Sequence, residues 1–439
     1  MPLLNYQKTE KRFGILTFEK MLLAAEKTER GFPMKNSIKN TLKGSNPRKM
    51  VIVWLSSLVF GLDTVTSRTE MVKHLSQLNA EVQLFAISSK GNDQEKLDKH
   101  FVLFPMKFVP MITQPIYTLA LFFLMPFYVI MKNVDFIITD QSTTIIVFVL
   151  KLFLPQAKFK AVLDIRSTPL KSWRSSNKSA LNEKLNEFLF SLSLNLAKKK
   201  FDGITIVTEL MKKEVCDRFN INPNFIGVWT SGVSASIFNP KKIAGKEIKK
   251  SLGLSNKFVI FYHGSLRPHG LVETFKALKL LSTKQQDLIL FLLSSRPTFV
   301  MFWSKLAKEF GIENNVIFHG KVSYTNVPNY IAMSDLPIVP LPDSPNWRNQ
   351  SPLKLLEYLA MEKVIVLTDI SANREIVGKS KCGIYISSID PVEIAEAIAY
   401  AYRNRESLRK WGVAGRAIIE EKYTWGKIAE EFKDYLLHL

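Results

Sequence analysis

A chain of 439 residues is too long for one ordinary hydrophobic core, and a composition of 46% hydrophobic and 23% charged residues excludes a disordered chain. A formal net charge of +21, with a pI near 9.7, calls for an acidic partner. No nucleic-acid partner is expected, because the sequence has no zinc-finger spacing, no aromatic ribonucleoprotein signature and no basic region feeding heptads; an anionic membrane surface and a phosphorylated ligand remain.

Residues 1–48 read as a basic N-terminal extension with one amphipathic stretch, Phe13 to Arg30, and no secretory pattern. From Met50 short apolar runs alternate with helical sequence. MVIVWLSS is followed by a helix over 66–78, then by AEVQLFAISS, VDFIITD, FKAVLDIR, GITIVTE and FIGVWTS. Such alternation predicts an α/β domain over 49–237, with a parallel sheet covered on both faces. Residues 111–131 carry no charge and are long enough to span a bilayer. Thr113, Gln114, Pro115, Thr118 and Pro126 make a buried or interface-lying helix the better reading.

A linker is expected over 238–256, where Pro240 and Gly245 fall among several lysines. The alternation then restarts. KFVIFYHG, DLILFLLSS, NVIFHG, LPIVPLP, KVIVLTD and CGIYISS give the strands of a second domain over 257–420. Two such units enclose a cleft, and ligands in open parallel sheets sit beyond the carboxyl ends of the strands. The two cysteines, Cys216 and Cys382, match no metal-ligand spacing and fit a reduced, cytoplasmic setting.

Two stretches carry binding chemistry. In FYHGSLRPHGLVETFKAL a strand ends at His263-Gly264 and a helix opens near Leu271; glycine permits close backbone approach, and Arg267 and His269 add positive charge toward a diphosphate. In NWRNQSPLKLLEYLAMEKVIVLTD, Ser351 reads as a helix cap and Pro352 as the first helical residue. Lys354 and Glu357 then share one helical face. Free N–H groups at that end suit phosphate oxygens, and the Glu357 carboxylate suits a ribose diol.

This run and the strand after it resemble the donor-site signature of the family 4 glycosyltransferases. So do VWTSGVSASIFNP at the start of the second domain, VIFHGKVSYTNVPNYIAMSDLPIVP, and YTWGKIAEEFKDYLL at the end, all in that family's order. The resemblance covers about 50–439. It implies a GT-B fold, with two Rossmann-like domains, an inter-domain cleft and a last helix over 421–439 that crosses back to the first domain. It further implies a retaining hexosyltransferase that takes a nucleoside-diphosphate sugar and needs no cofactor or catalytic metal. By position, Gly61 and Gly264 approach the donor phosphates. Ser351, Pro352 and Leu353 hold them, helped by Arg267, His269 or Lys354, and Glu357 binds the ribose. Asp164, Arg166 and Asn349 fall where reacting sugar and acceptor are contacted, and Asp140 ends a neighbouring strand.

The sequence departs from that pattern in four places. The family's first glutamate is Asn349, the loop after Gly264 reads Ser-Leu-Arg-Pro-His-Gly, the glycine-rich turn after the next strand is Ser294-Ser295-Arg296-Pro297, and the first glycine loop is reduced to Gly61-Leu62-Asp63-Thr64. A same-fold epimerase or phosphorylase-like enzyme, or a silent scaffold, therefore stays open beside the transferase. Lysine and arginine gather from Lys158 to Lys213, with Arg174, Lys178 and Lys198-Lys199-Lys200 among them. Beside the apolar 111–131 they lead to the expectation of a cytoplasmic protein, peripheral on the inner face of an anionic membrane, with a lipid-linked or glycan acceptor.

Overall fold

The computed structural model describes residues 48–60, 67–88, 100–105, 112–168, 180–243, 245–294 and 297–439. The amphipathic stretch at 13–30, the Gly61 loop, Arg174, Lys178 and the turn at 295–296 lie outside the described residues.

The first sheet contains β1 (Met50–Phe60), β2 (Ala80–Ser88), β3 (Phe101–Pro105), β4 (Phe136–Thr139), β5 (Lys160–Ile165), β6 (Gly203–Ile206) and β7 (Ile226–Val228), all parallel, in the order β3-β2-β1-β4-β5-β6-β7. The second contains β8 (Phe258–Gly264), β9 (Leu288–Ser294), β10 (Val316–His319), β11 (Leu336–Val339), β12 (Ile365–Thr368) and β13 (Gly383–Ile386), again all parallel, in the order β10-β9-β8-β11-β12-β13. In each sheet the order reverses once, between β1 and β4 and between β8 and β11. A crevice opens at such a reversal, because the connections on its two sides depart in opposite directions.

Strand β3 is not among the runs read from the sequence. It is five residues long, and the apolar stretch that follows hides its end. The helix after it runs Thr113–Lys132 and presents Tyr117, Leu121, Met125 and Val129 to the sheet, each at most 2% exposed. These four recur every fourth residue, so they form one stripe of the helix. Helices Thr144–Phe153, Ala180–Lys200 and Glu209–Phe219 cover the same face of the sheet. In the expected linker, Phe238 is buried, and Gly245–Ser251 forms a short helix that backs Gly245 onto Ala332.

The other face of the first sheet is closed by Ser67–Gln77 and by the last helix, Trp425–Leu437. The chain returns through a parallel bridge between Val233 and Thr424. Trp425, Ile428, Phe432 and Leu436 then pack with Trp54 and Trp229. The rings of Trp54, Trp229 and Phe432 lie 5.5–5.8 Å apart, a spacing at which edge and tilted contacts add to burial. The Tyr435 hydroxyl donates to the carbonyls of Ile204 and Phe225. Its ring fills the place a side chain would take at Gly227, where a Cβ would stand 2.6 Å from it. Gly227→Ala is therefore expected to destabilise the docked helix by about 1–3 kcal/mol through overpacking, read as faster hydrogen exchange over 425–437.

Candidate functional site

The crevice of the second domain is built from the end of β8 and the start of helix Leu353–Ala360. Gly264 ends β8 with φ +101°, a backbone conformation that a residue with a Cβ rarely adopts, and the space beside it is open. The helix begins one residue later than the sequence suggests. Pro352, at ψ 105°, occupies the cap position, and no side chain caps the helix. The Ser351 hydroxyl is engaged elsewhere. It accepts from the Thr230 hydroxyl at 2.8 Å and from the Ser231 N–H at 3.3 Å, which ties the segment to the chain leaving β7. The N–H groups of Leu353 and Lys354 have no carbonyl one turn earlier to bond, so the helix end offers two donors and its partial positive charge to an anion.

Glu357 is 7% exposed, which rules out an ordinary solvated Lys–Glu pair. Its Oε2 lies 2.7 Å from His263 Nε2, and His263 Nδ1 lies 2.9 Å from the Tyr358 hydroxyl. Burial holds the Tyr358 proton far above the usual tyrosine range, and the neighbouring Tyr262 and the charge of Glu357 raise it further. A carboxylate only accepts, so Nε2 carries the proton it shares with Glu357, and in the neutral ring Nδ1 is left to accept from the Tyr358 hydroxyl. Glu357 Oε1 takes no hydrogen bond from the described residues. Lys354 Nζ rests 3.7 Å from the centre of the Tyr262 ring, and Arg267 is exposed. His269 packs edge-on to Trp347. Burial lowers its pKa, as do the nearby charges of Arg267 and Lys354.

Across the cleft, the switch point of the first sheet is a closed polar network. Asp164 is 1% exposed, pairs with Arg68 Nε at 2.9 Å, and accepts from Trp229 Nε1 and the Thr205 hydroxyl. Asp140 accepts from the N–H and hydroxyl of Ser57 and the N–H groups of Ser142 and Thr143, the work of a loop anchor. Arg68 lies 3.7 Å from it and also donates to Ser56. Arg166 stacks at 3.6 Å on Trp229 and donates to its carbonyl. Burial lowers the Arg166 pKa, Asp164 opposes it and Arg68 adds to it, leaving it at about 10, so it remains a cation at neutral pH.

Asn349 is 1% exposed and lies in the seam between the domains. Its Nδ2 donates to Glu214 and its carbonyl accepts from the Thr208 hydroxyl. Leu353 packs its side chain against the cluster of Trp54, Trp229 and Phe432. Gly264, Arg267, His269, Pro352, Lys354 and Glu357 thus surround the crevice of the second domain. Asp164 is taken up by an ion pair, and Asn349 and Ser351 hold the domain seam. Arg68, His263 and Tyr358 have no role in the sequence reading; only the placement of His263 beside Gly264 pointed to it.

A cavity of about 650 Å³ opens at the other edge of the second sheet, among Lys249, Asp335, Lys363 and Arg409. Lys363 donates there to the carbonyls of Ala332 and Ser334. This edge holds the amino ends of the strands, away from the helix N-termini that favour anions.

Two parallel sheets whose crevices face each other, closed by a last helix that crosses back, are the GT-B architecture. Residues 245–418, most of the second domain, match the family model for glycosyl transferases group 1. Among curated proteins, the chain is 23% identical over 208 residues to a GDP-mannose-dependent alpha-(1-6)-phosphatidylinositol monomannoside mannosyltransferase of Mycobacterium tuberculosis. That match covers 47% of this chain and 54% of the relative, so the chain spans about half the length of the curated relatives it matches. Among solved structures, a sucrose-phosphate synthase from Thermosynechococcus elongatus superposes with a TM-score of 0.71 at 13% identity, covering 89% of this chain and 99% of that one. A glycosyltransferase from Rickettsia africae gives 0.68 at 16%, covering 89% and 98%. The Anabaena protein HepE in complex with UDP and glucose gives 0.67 at 14%, covering 89% and 100%. At these identities the solved structures establish the fold.

Proposed function

We propose that the chain transfers a hexose, with retention of anomeric configuration, from a nucleoside-diphosphate sugar to a lipid-linked or polysaccharide acceptor. The observation that carries this reading is the uncapped start of helix Leu353–Ala360, which opens beside Gly264 with Lys354 and Glu357 on one face. Its two free N–H groups, with Lys354 and Arg267, suit a diphosphate; Glu357 Oε1 suits a ribose hydroxyl one turn further in. As the sugar bond breaks, negative charge grows on the departing diphosphate. Donors and cations already in place there lower the barrier without reorganising. Arg166, stacked on the buried Trp229, stands in the first domain, the acceptor side of this reading. The relatives named for UDP and for GDP-mannose make those two nucleotides the first to test.

A silent binding protein of the same fold is the second reading, favoured by Asn349. Where the family places a carboxylate, this chain has an amide turned into the domain seam. Calorimetric titration with UDP, GDP and their sugar conjugates, followed by NMR of the products, separates the two readings. Binding with release of an α-linked product from an α-linked donor supports retaining transfer. Binding without turnover, with every acceptor class supplied, supports the scaffold.

Nucleotide binding is expected to strengthen as pH falls from neutral. His269 is held below the ordinary histidine value by burial, Arg267 and Lys354. A bound diphosphate favours the imidazolium, so the complex holds more protons than the free protein between the two His269 pKa values. Calorimetry in buffers of different ionisation enthalpy should show proton uptake on binding, and His269→Gln should remove it.

A further inference from the structure

Among the described residues, 14 of the 22 exposed large hydrophobic side chains lie on three helices of one face of the first domain, too many and too close together for ordinary surface scatter. The helices are Thr113–Lys132, Thr144–Phe153 and Ala180–Lys200, and the middle one touches both others. Phe123 is 58% exposed and Phe127 69%; Phe153 on the second helix reaches 76% and Phe188 on the third 62%. The first two helices contain no acidic residue. Exposed lysines stand at the ends of the layer: Lys132 closes the first helix, Lys158 follows the second, and Lys199 and Lys200 close the third.

We infer that this three-helix face rests in the interfacial layer of an anionic lipid bilayer. The apolar side chains enter among the acyl chains, and the lysines at the rim meet negative headgroups. The length of the first helix does not make it a span. Its stripe of Tyr117, Leu121, Met125 and Val129 is buried in the domain core, and only 22% of its apolar window is buried. Its two ends join β3 and β4 of one sheet, whose polar backbone cannot follow it into hydrocarbon. A helix held along one side and bare along the other lies in the interface. The same charge argument disfavours a second copy of this chain as the occupant, because two such faces would bring lysine rims together. The seat would supply the acceptor of the proposed transfer from the lipid phase, and only in that respect does it rest on the proposed function. Binding to vesicles needs no donor and stands or falls independently.

The test is flotation of the full chain with vesicles of phosphatidylcholine containing phosphatidylglycerol. The unaltered protein is expected to float, and raised salt should weaken but not abolish binding. Phe123→Asp with Phe127→Asp, and separately Phe153→Asp with Phe188→Asp, are each expected to cut partitioning by about tenfold or more. These side chains point outward, so circular dichroism should stay that of the unaltered protein. Met301→Asp, 78% exposed on the second domain, is the control and should float normally. Failure of the unaltered protein to float, or equal flotation of the aspartate variants, overturns the inference. So does a dimer in solution that Phe127→Asp splits while vesicle binding is absent.

Discussion

Arg68→Met is expected to destabilise the first domain by about 3–5 kcal/mol, because it removes one partner from a buried ion pair and leaves the other charged. Burial works against the Arg68 guanidinium, yet Asp164 and Asp140 outweigh it and its pKa is raised. The Asp164 side chain is 0% exposed, and Arg68 supplies its charge partner at 2.9 Å. Asp140 fares better without Arg68, since Ser57, Ser142 and Thr143 still donate to it. The loss therefore falls mainly on Asp164. Arg68→Met combined with Asp164→Asn should recover more than half of it, because the neutral amide oxygen can still accept from Trp229. Hydrogen exchange over β1, β4 and β5 is the readout, since a chain of two domains need not unfold in one step. Equal stability of Arg68→Met and the unaltered protein would mean that water solvates the network as well as arginine does.

The same network shows where a sequence stops being informative. The strands that border the cleft could be read because each is a β-rich apolar run that ends in glycine or a polar residue, as in FYHG and FIITD. The helix at 353–360 was legible from its proline start and its Lys–Glu spacing, off by one residue at the cap. The cap shifted because Thr230 and Ser231, about 120 positions earlier, take the Ser351 hydroxyl. Asp164 looked open to the cleft for the same kind of reason. Its ion-pair partner lies 96 positions away on a helix whose sequence gives no sign of pointing there. The His263–Glu357 bond joins residues 94 apart, and no local pattern encodes it. What periodicity and turn chemistry encode is local. Which polar residue is occupied by another, and which is left for a ligand, depends on contacts between strands and domains.

Glu357→Gln is expected to weaken nucleoside diphosphate binding by about tenfold to a hundredfold, the worth of hydrogen bonds to a charged acceptor. Glutamine preserves the volume of the side chain, and its oxygen can still accept the His263 Nε2 proton that the carboxylate accepts at 2.7 Å. Its NH₂ group is then left where Glu357 Oε1 stood, a donor in place of a charged acceptor. The loss should depend on the ribose. The unaltered protein is expected to prefer a ribonucleotide to its 2′,3′-dideoxy analogue by the same tenfold to hundredfold, and Glu357→Gln to bind the two almost equally. A purely structural role for Glu357 would weaken both ligands alike and lower the melting temperature, because the side chain is 7% exposed and holds His263. Calorimetry with the two analogues, on the unaltered protein and the variant, gives the four affinities. Undiminished preference for the ribonucleotide in the variant would remove Glu357 from the ribose, and with it the main reason for orienting the donor along this helix.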